Sequence, residues 1–333
     1  MIITSSPLRI SLGGGGTDLP SYYREHTGFV ISAAINKYVY ITLHETFSEE
    51  IIVKYSKMET VQTPGEIKHP IVREALKLVG TDEHPHLEIT SMSDIPAGTG
   101  LGSSGSFTTA LLRALHCLKR NSVPARELAE QACHIELELL GEPIGKQDQY
   151  IAAYGGVCQF TFRKDESVDV KPFRRSPELF HGLSRNIMLF YTGRTRKAGN
   201  ILSLQDQRTE ANLEQLHCLK ALALRTAEAL DRMRLWEVGR VLNDGWQLKR
   251  QLAEGISNPE IEEMYDLALS AGAAGGKICG AGGGGFLLLY CDPAHHKAVR
   301  QAMEVYRELP IGLDPDGSKI IFQNRAGYRM ASV

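Results

Sequence analysis

The stretch with the clearest chemistry is a glycine- and serine-rich loop at residues 96–106, PAGTGLGSSGS. Four of its residues lack a Cβ, so several backbone N–H groups can converge there on one anion: Gly98, Gly100, Gly102 and Gly105. Apolar residues at helical spacing follow from Leu111, and a helix N-terminus adds partial positive charge to such a loop. The sequence therefore predicts a phosphate site, with a nucleotide as the best-fitting ligand.

Two common phosphate motifs do not match this loop. Gly102 is followed by Ser103 rather than by a Lys-Ser/Thr pair, so the loop is not a Walker A motif. Ser103 also stands where a dinucleotide fingerprint needs its third glycine, which disfavours a nicotinamide-dependent oxidoreductase. A plain glycine-serine linker is disfavoured as well, because a helical pattern follows directly.

The elements that must position this loop alternate between strands and helices. Residues 87–98 are typical of a strand that leads into the loop, and a helix is predicted from near Gly105. Further strands are predicted over the first ten residues, 29–43, 157–162, 186–191 and 286–290. Further helices are predicted over 125–140, 205–252 and 258–271. The polar, proline-punctuated segment 163–177 predicts a boundary between domains 1–175 and 176–333.

Composition restricts the class of function. The 333 residues are 43% hydrophobic, which is enough for a substantial core, and two domains are expected. The net charge of −2 gives no electrostatic reason to expect nucleic acid or membrane as the partner, so small-molecule chemistry is favoured. The six cysteines are scattered without a C-x-x-C pair, and the N-terminus does not resemble a signal peptide. Reduced thiols in a cytoplasmic protein are therefore expected.

Two further glycine-rich motifs flank the loop along the chain, SPLRISLGGGGTD at 6–18 and KICGAGGGGF at 277–286. The three motifs in this order resemble the GHMP kinase superfamily, small-molecule ATP-dependent kinases that include galactokinase, mevalonate kinase and homoserine kinase. The resemblance spans nearly the full chain. It implies a two-domain α+β fold, with a ribosomal protein S5 domain 2-like N-terminal domain and a ferredoxin-like C-terminal domain. The active site is then expected in the cleft between them.

The resemblance also implies ATP and Mg²⁺ as cofactors. The middle loop would wrap the ATP phosphates, and the ATP-binding residues would be Pro96, Gly98, Gly100, Leu101, Gly102, Ser103, Ser104, Gly105 and Ser106. The Ser104 hydroxyl and Glu136, at the matching place on the next helix, would ligate Mg²⁺. Asp148 lies in the Gly-x-x-Asp-Gln context of galactokinase-like members and would accept or orient the proton of the acceptor hydroxyl.

The first motif implies a sugar acceptor. Galactokinase has Pro-Gly-Arg and then Gly-Glu-His-Thr-Asp, and the same register here aligns Arg9 and Asp18. Arg9 would lie near the transferring phosphoryl group, in a catalytic role beside Asp148, and Asp18 would bind sugar hydroxyls. Gly15 and Gly16 replace the Glu-His pair that meets the far end of a hexose. This departure disfavours galactokinase activity and leaves space for a longer or phosphorylated sugar.

The wider pattern, with INKYVY, GKQDQYIAAYGG and YTGRTR, is similar to the members that phosphorylate the anomeric O1 of D-glycero-α-D-manno-heptose 7-phosphate. Their 1,7-bisphosphate product serves to build nucleotide-activated heptose for surface polysaccharides. Arg194, Arg196 and Lys197 are candidates for the sugar phosphate, because guanidinium groups pair bidentately with phosphate, although a plain basic surface loop is an equal alternative. The predicted acceptor contacts are Arg9, Gly14, Gly15, Gly16, Thr17, Asp18, Asp148, Arg194, Arg196, Gly282 and Gly283.

Three alternatives remain open from the sequence. The acceptor could be L-fucose or another heptose, because sequence separates such kinases poorly. A catalytically silent protein that binds ATP and sugar without transfer would keep the same fold, although Asp148, Glu136 and Ser104 are all present and argue against it. The oligomeric state is open too.

Overall fold

The computed structural model describes residues 1–81, 86–173, 176–195 and 198–324. Arg196 and Lys197 lie outside the described residues, so their expected contact with a sugar phosphate stays a prediction.

The strands, in chain order, are β1 (Ile2–Gly13), β2 (Gly28–Glu45), β3 (Ile51–Lys54), β4 (Met58–Val61), β5 (Leu87–Ser93), β6 (Val157–Phe162), β7 (Val168–Pro172), β8 (Ile187–Tyr191), β9 (Ala273–Ile278), β10 (Phe286–Cys291) and β11 (Lys319–Gln323). The α-helices are α1 (Pro20–His26), α2 (Pro70–Val79), α3 (Ser103–Leu118), α4 (Ala125–Cys133), α5 (Gln147–Tyr154), α6 (Pro177–Asn186), α7 (Ala198–Gln207), α8 (Leu213–Asp231), α9 (Trp236–Lys249), α10 (Pro259–Ser270) and α11 (His296–Ala302). A π-helix (His134–Leu139) continues α4 directly.

Two sheets organise the described chain. The larger has the strand order β11-β1-β2-β5-β3-β4, and β6 pairs with β2 and β7 beside it. The smaller sheet has the order β8-β10-β9 and is antiparallel. Because β11 pairs with β1, the last described strand returns to the sheet that the first strand begins. The boundary near residue 175 stays a prediction.

The β1–β2 pair is buried on both faces. Leu8 and Ile10 of β1 pack in one cluster with Leu288 of the smaller sheet, whereas Val30 and Ala34 of β2 pack in a second cluster with helix α3. Side chains of a strand alternate between faces, so both sets must be apolar when both faces are covered. Because both faces of the β1–β2 pair are packed, the pair fixes the position of the polar residues at the end of β1.

Most predicted elements are confirmed, as is the α+β class. The predicted strands correspond to β1, β2, β5, β6, β8 and β10, and the helix at 258–271 corresponds to α10. The helix prediction over 125–140 is wrong in detail, because this segment is α-helical only to Cys133. The helical region predicted over 205–252 contains the end of α7, then α8 and α9. The remaining elements were not predicted: β3, β4, β7, β9, β11, α1, α2, α5, α6 and α11.

Candidate active site

The loop that precedes α3 has the geometry of an anion site. Gly98, Gly100 and Gly102 have φ angles of 79°, 81° and 77°, a left-handed conformation that only glycine adopts easily. The first hydrogen bond along α3 runs from the Ser106 N–H to the Gly102 carbonyl at 3.1 Å. The N–H groups of residues 103–105 therefore precede any helical acceptor and are available to a phosphate at the positive end of the helix dipole.

The third glycine-rich motif packs directly on this loop. A Cβ at Gly100 would collide with the Cys279 carbonyl oxygen, and one at Gly280 would lie 2.7 Å from the Gly100 Cα. A Cβ at Gly285 would likewise collide with the Thr99 carbonyl oxygen. Glycine is needed in both segments because two backbones touch. The motifs at 96–106 and 277–286 thus form one unit.

Gly282, Gly283 and Ser106 have partners inside the fold. The Gly283 N–H donates to the Ile256 carbonyl at 2.6 Å, and Gly282 lies against Ile256 too. The Ser106 hydroxyl donates to the Pro7 carbonyl at 2.7 Å and anchors α3 to β1. Leu101 is fully buried, and its carbonyl accepts from the Arg9 N–H at 2.9 Å. The ligand contacts expected of these residues stay predictions.

Arg9 and Asp148 form a bidentate ion pair at the head of the loop. Arg9 Nε lies 2.7 Å from Asp148 Oδ1, and Arg9 Nη2 lies 2.8 Å from Oδ2. The Arg9 side chain is buried, while that of Asp148 is 26% exposed. Asp148 lies in the first turn of α5, where the helix dipole favours a carboxylate. A Cβ at Gly105 would lie 3.0 Å from Asp148 Cβ, so this glycine lets α3 and α5 meet.

Ser104 and Glu136 also meet, as predicted. The Ser104 hydroxyl donates to Glu136 Oε2 at 2.5 Å, and Gln149 Nε2 donates to Oε1 at 3.2 Å. Glu136 is fully buried, and this burial raises its pKa to about 7 against the lowering effect of those hydrogen bonds. It lies within the π-helix, a distortion frequent at functional sites.

These side chains fit a Mg²⁺ ion. Mg²⁺ prefers oxygen ligands, and proteins hold it through one or two carboxylates together with substrate phosphates. Ser104 and Glu136 supply a hydroxyl and a carboxylate beside the phosphate loop, and Gln149 Oε1 is buried without a hydrogen-bond partner in the described chain. Since one carboxylate serves this site, the other ligands would come from phosphate and water.

Asp18 lies next to the ion pair, in a pocket of hydrogen-bond donors. Its carboxylate accepts from the Gly16 N–H at 3.1 Å and from Gln147 Nε2 at 3.1 Å. Burial is the main cause of a raised pKa at Asp18, and the Asp148 charge raises that pKa further. A Cβ at Gly145 would collide with the Asp18 carboxylate. The carboxylate is thus held rigidly, as recognition of a sugar hydroxyl requires.

The glycines of the first motif differ in how crowded they are. Gly14 has a φ of 80° and lies against the Phe29 carbonyl, and Gly16 has a φ of 99° and lies against Gln205. A Cβ at Gly15, in contrast, would meet only Ser11 Oγ at 3.6 Å and Gln147 Nε2 at 4.0 Å. Thr17 uses its buried hydroxyl to bind the Gly14 and Phe29 carbonyls and so shapes the loop. Gly15 is therefore the least crowded of the three and would tolerate a side-chain carbon.

Arg194 lies beside the third motif, where its carbonyl accepts from the Gly285 N–H at 2.9 Å. It forms an exposed ion pair with Glu260 at 2.5 Å and lines a cavity of about 180 Å³ together with Gly283 and Tyr306. None of the first-motif residues lines this cavity. Its contact with a sugar phosphate stays a prediction.

Five polar residues near the first motif were not among the predicted site residues: Ser11, Gln147, Gln205, Lys249 and Lys277. Gln147 binds Asp18, and the other four line the loop or the groove beside it. Ser11 could have been found by the period of two from Arg9, which places both side chains on one face of β1.

Comparison with known proteins adds to this geometry. The family description "GHMP kinases N terminal domain" matches residues 70–156, and "GHMP kinases C terminal" matches residues 226–308. The chain is 32% identical over 309 residues to the D-glycero-alpha-D-manno-heptose 7-phosphate kinase of Campylobacter jejuni, covering 88% of this chain and 90% of that one. The chain belongs to the GHMP kinase family.

Other GHMP kinases resemble it over similar lengths. The crystal structure of a D-glycero-D-manno-heptose 1-phosphate kinase from Bacteroides thetaiotaomicron superposes with a TM-score of 0.81 at 26% identity, covering 97% of this chain and all of that one. The L-fucokinase/L-fucose-1-P guanylyltransferase of Bacteroides fragilis is 29% identical over 90% of this chain, which spans 35% of that protein. The fold expected from the three motifs is thereby confirmed.

No helix in the described ranges combines the length and the apolar character that crossing a bilayer requires.

Proposed function

We propose that this GHMP kinase transfers the γ-phosphoryl group of ATP to the anomeric O1 of D-glycero-α-D-manno-heptose 7-phosphate, giving the 1,7-bisphosphate. The observation that carries the proposal is the Arg9–Asp148 pair, which lies at the phosphate loop and next to the Asp18 pocket. The phosphate loop would thus serve the donor and the Asp18 pocket would serve the acceptor, with the Asp148 carboxylate between them.

The donor side is built from backbone. The N–H groups at the start of α3 would bind the ATP phosphates, and the third motif holds the loop in shape. Ser104 and Glu136 would hold Mg²⁺, which supplies charge neutralisation on the phosphates. The chain itself contributes mainly alignment, because phosphoryl transfer needs little covalent chemistry from the protein.

The acceptor side contributes the proton acceptor. The O1 hydroxyl would lie against Asp148, and its proton would pass to that carboxylate as O1 forms a bond to the γ-phosphorus and the bond to the ADP oxygen breaks. Arg9 orients Asp148 through two hydrogen bonds and carries positive charge to the transferring group. Asp18 would accept hydrogen bonds from sugar hydroxyls further along the cleft.

The acceptor is proposed from the first motif and from the relatives. Gly15 leaves open the space that a side chain would fill, which suits an acceptor longer than a hexose. The Campylobacter jejuni relative is named for a heptose 7-phosphate. Likeness to an L-fucokinase makes L-fucose the second candidate. A cytoplasmic location is part of the proposal, since the six cysteines are scattered without a C-x-x-C pair, as is usual for reduced thiols.

A coupled assay for ADP release tests the proposal. The purified protein is given Mg²⁺-ATP and, in turn, the heptose 7-phosphate, the unphosphorylated heptose, L-fucose and galactose. We expect the highest kcat/KM with the heptose 7-phosphate and a turnover by Asp148→Asn that is about 10³-fold slower under the same conditions. A preference for L-fucose would identify L-fucose, the second candidate, as the acceptor. ADP release with none of the sugars would refute sugar kinase activity.

A further inference from the structure

Two lysines beside the first motif have no role in the chemistry above. Lys277 lies on β9 and Lys249 ends α9, and each is only 6% exposed. Both line one groove with Gly13, Gly14 and Gly15. Lysine is almost never buried to this extent unless its charge is compensated. Their position therefore calls for an explanation.

The two amines differ in their partners. Lys249 Nζ donates to the Gly280 carbonyl, which lies in the third motif. Lys277 Nζ finds neither a hydrogen-bond acceptor nor an ion-pair partner among the residues that the structure describes. Arg9 is close enough to act on it electrostatically, and so is Asp18. Lys277 is thus a buried cation beside the first motif whose hydrogen-bonding capacity is not used by the described residues.

The groove around the two lysines is otherwise apolar. Its walls come from α8 and α9 and consist of Leu219, Leu222, Val241 and Leu242. An ionic contact is stronger in such surroundings than in water. Burial is the main cause that lowers the pKa of Lys277, to about 8, so the amine still carries its charge at pH 7.

Two more polar groups at the first motif lack partners. Ser11 Oγ and Gln205 Nε2 are buried and have no hydrogen-bond partner in the described parts of the chain. Ser11 faces the open space at Gly15, and Gln205 touches Gly16. Buried polar groups are normally satisfied, so orphaned ones around a single loop point to a ligand with several oxygens.

These residues follow one another along the cleft. Asp148 lies at the reacting end, and Gln147 next to it binds Asp18. Gly15 approaches Gln147, and Gly15 also lines the groove that holds Lys277. A ligand whose hydroxyl reacts at Asp148 would thus direct its other end toward the lysines.

We propose that Lys277, assisted by Lys249, forms an anion subsite that binds the phosphate group of the acceptor. The inference rests on the proposed function and names the residues that would make the enzyme select a phosphorylated sugar. The enclosed part of the groove measures about 20 Å³, enough for one water, so the phosphate lies at its glycine end within reach of the long lysine side chain.

The decisive test compares acceptors with and without the phosphate. Steady-state kinetics are measured for the native protein, Lys277→Met and Lys249→Met with the heptose 7-phosphate and with the unphosphorylated heptose. Loss of one charge-assisted hydrogen bond predicts a fall in kcat/KM of about 10- to 100-fold for the phosphorylated acceptor. For Lys277→Met, the value for the unphosphorylated heptose and the KM for ATP should change less than about threefold.

Two variants complete the comparison. Lys119→Met is the matched control, because its amine also donates to a glycine carbonyl, that of Gly80, but lies on the surface. Lys277→Arg should restore much of the preference, which excludes a loss caused by misfolding. Equal losses for both acceptors, a selective rise in the KM for ATP, or a selective loss in Arg194→Met instead would each overturn the assignment.

Binding without ATP separates this inference from the proposed function. Calorimetric titration with the heptose 7-phosphate should show about 10-fold weaker binding by Lys277→Met than by the native protein. If the native protein binds this sugar phosphate through Lys277 but transfers no phosphoryl group, the subsite stands and the proposed function fails. If both proteins bind it equally, or neither does, the subsite is refuted.

Discussion

Arg9 holds both carboxylate oxygens of Asp148 while its third nitrogen, Nη1, donates to the Gly100 carbonyl at 2.5 Å. One guanidinium thus joins the glycine-rich loop to the Asp148 carboxylate. The planar fork of arginine provides these directed bonds in one rigid group. The position of the proposed proton acceptor is therefore coupled to the shape of this loop.

Replacement of Asp148 by Asn should remove most catalysis. The amide cannot accept the O1 proton, and its nitrogen would face the donors of Arg9. We expect kcat to fall by about 10³-fold, within the usual range for general-base catalysis, with ATP affinity nearly unchanged. Steady-state kinetics and binding of a fluorescent ATP analogue measure the two effects. A kcat within about twofold of the native value would exclude this role.

Arg9→Lys tests the orienting function of the pair. A lysine keeps the charge but cannot contact both carboxylate oxygens and the Gly100 carbonyl together. We expect a loss in kcat of about 100-fold, since small misplacements of catalytic groups have effects of this size. Combined with Asp148→Asn, the losses should be far from additive. Additive losses would show that Arg9 acts independently of Asp148.

Gly105→Ala probes the contact between α3 and α5. The new Cβ would lie 2.9 Å from the Gln149 nitrogen, so the start of α5 must move. We expect a loss of about 1–3 kcal/mol in unfolding free energy and at least a 10-fold lower kcat. Gly65→Ala is the matched control, because a Cβ there meets nothing within 4 Å. Equal behaviour of the two variants would contradict a need for close approach.

The sequence predicted the participants of the site better than their arrangement. The motifs marked Arg9 and Asp148, but these residues lie 139 positions apart, and only the folded chain shows their bidentate contact. The pairing of β11 with β1 is likewise non-local. Lys277 stood inside a recognised motif, yet its burial depends on α8 and α9 packing over it.

Helix boundaries show a second limit of the sequence. The π-helix keeps an apolar residue, Ile135, at a position that also fits a regular α-helix, so the pattern does not reveal it. The break between α8 and α9 contains neither glycine nor proline at residues 232–235. Tertiary packing rather than local propensity sets such breaks.

Glu136→Gln should stabilise the metal-free protein above neutral pH. Burial raises the pKa of Glu136 from 4.5 to about 7, so the native state holds a proton that the unfolded chain releases in this interval. The unfolding free energy therefore falls as pH rises from about 4.5 to 7, by on the order of 3 kcal/mol in total. Glutamine cannot ionise and should lack this slope.

Denaturant unfolding with a chelator at pH 5 and pH 8 measures the effect. The unfolding free energy of the variant should exceed that of the native protein chiefly at pH 8. The variant should also need more Mg²⁺ for activity, because a carboxylate ligand is lost. Parallel pH profiles for the two proteins would contradict the raised pKa. An unaltered Mg²⁺ titration would count against metal ligation by Glu136.

Gly15→Glu places a negative charge in the open space of the acceptor cleft. The Cβ meets only ordinary contacts there, so the variant should fold. Repulsion should lower kcat/KM about 10-fold or more for the phosphorylated heptose and less for the unphosphorylated sugar. Gly15→Gln, of equal size but uncharged, controls for bulk. An equal loss in kcat/KM for both acceptors would show that the phosphate of the acceptor does not bind near Gly15.

The most direct measurement is NMR of the product. The heptose 7-phosphate is incubated with Mg²⁺-ATP and the protein, and ³¹P and ¹H spectra locate the new phosphate. The account predicts a second phosphate coupled to the anomeric proton, stoichiometric ADP, and neither signal with Asp148→Asn. A new phosphate on any other oxygen, or an unchanged sugar spectrum, would contradict it.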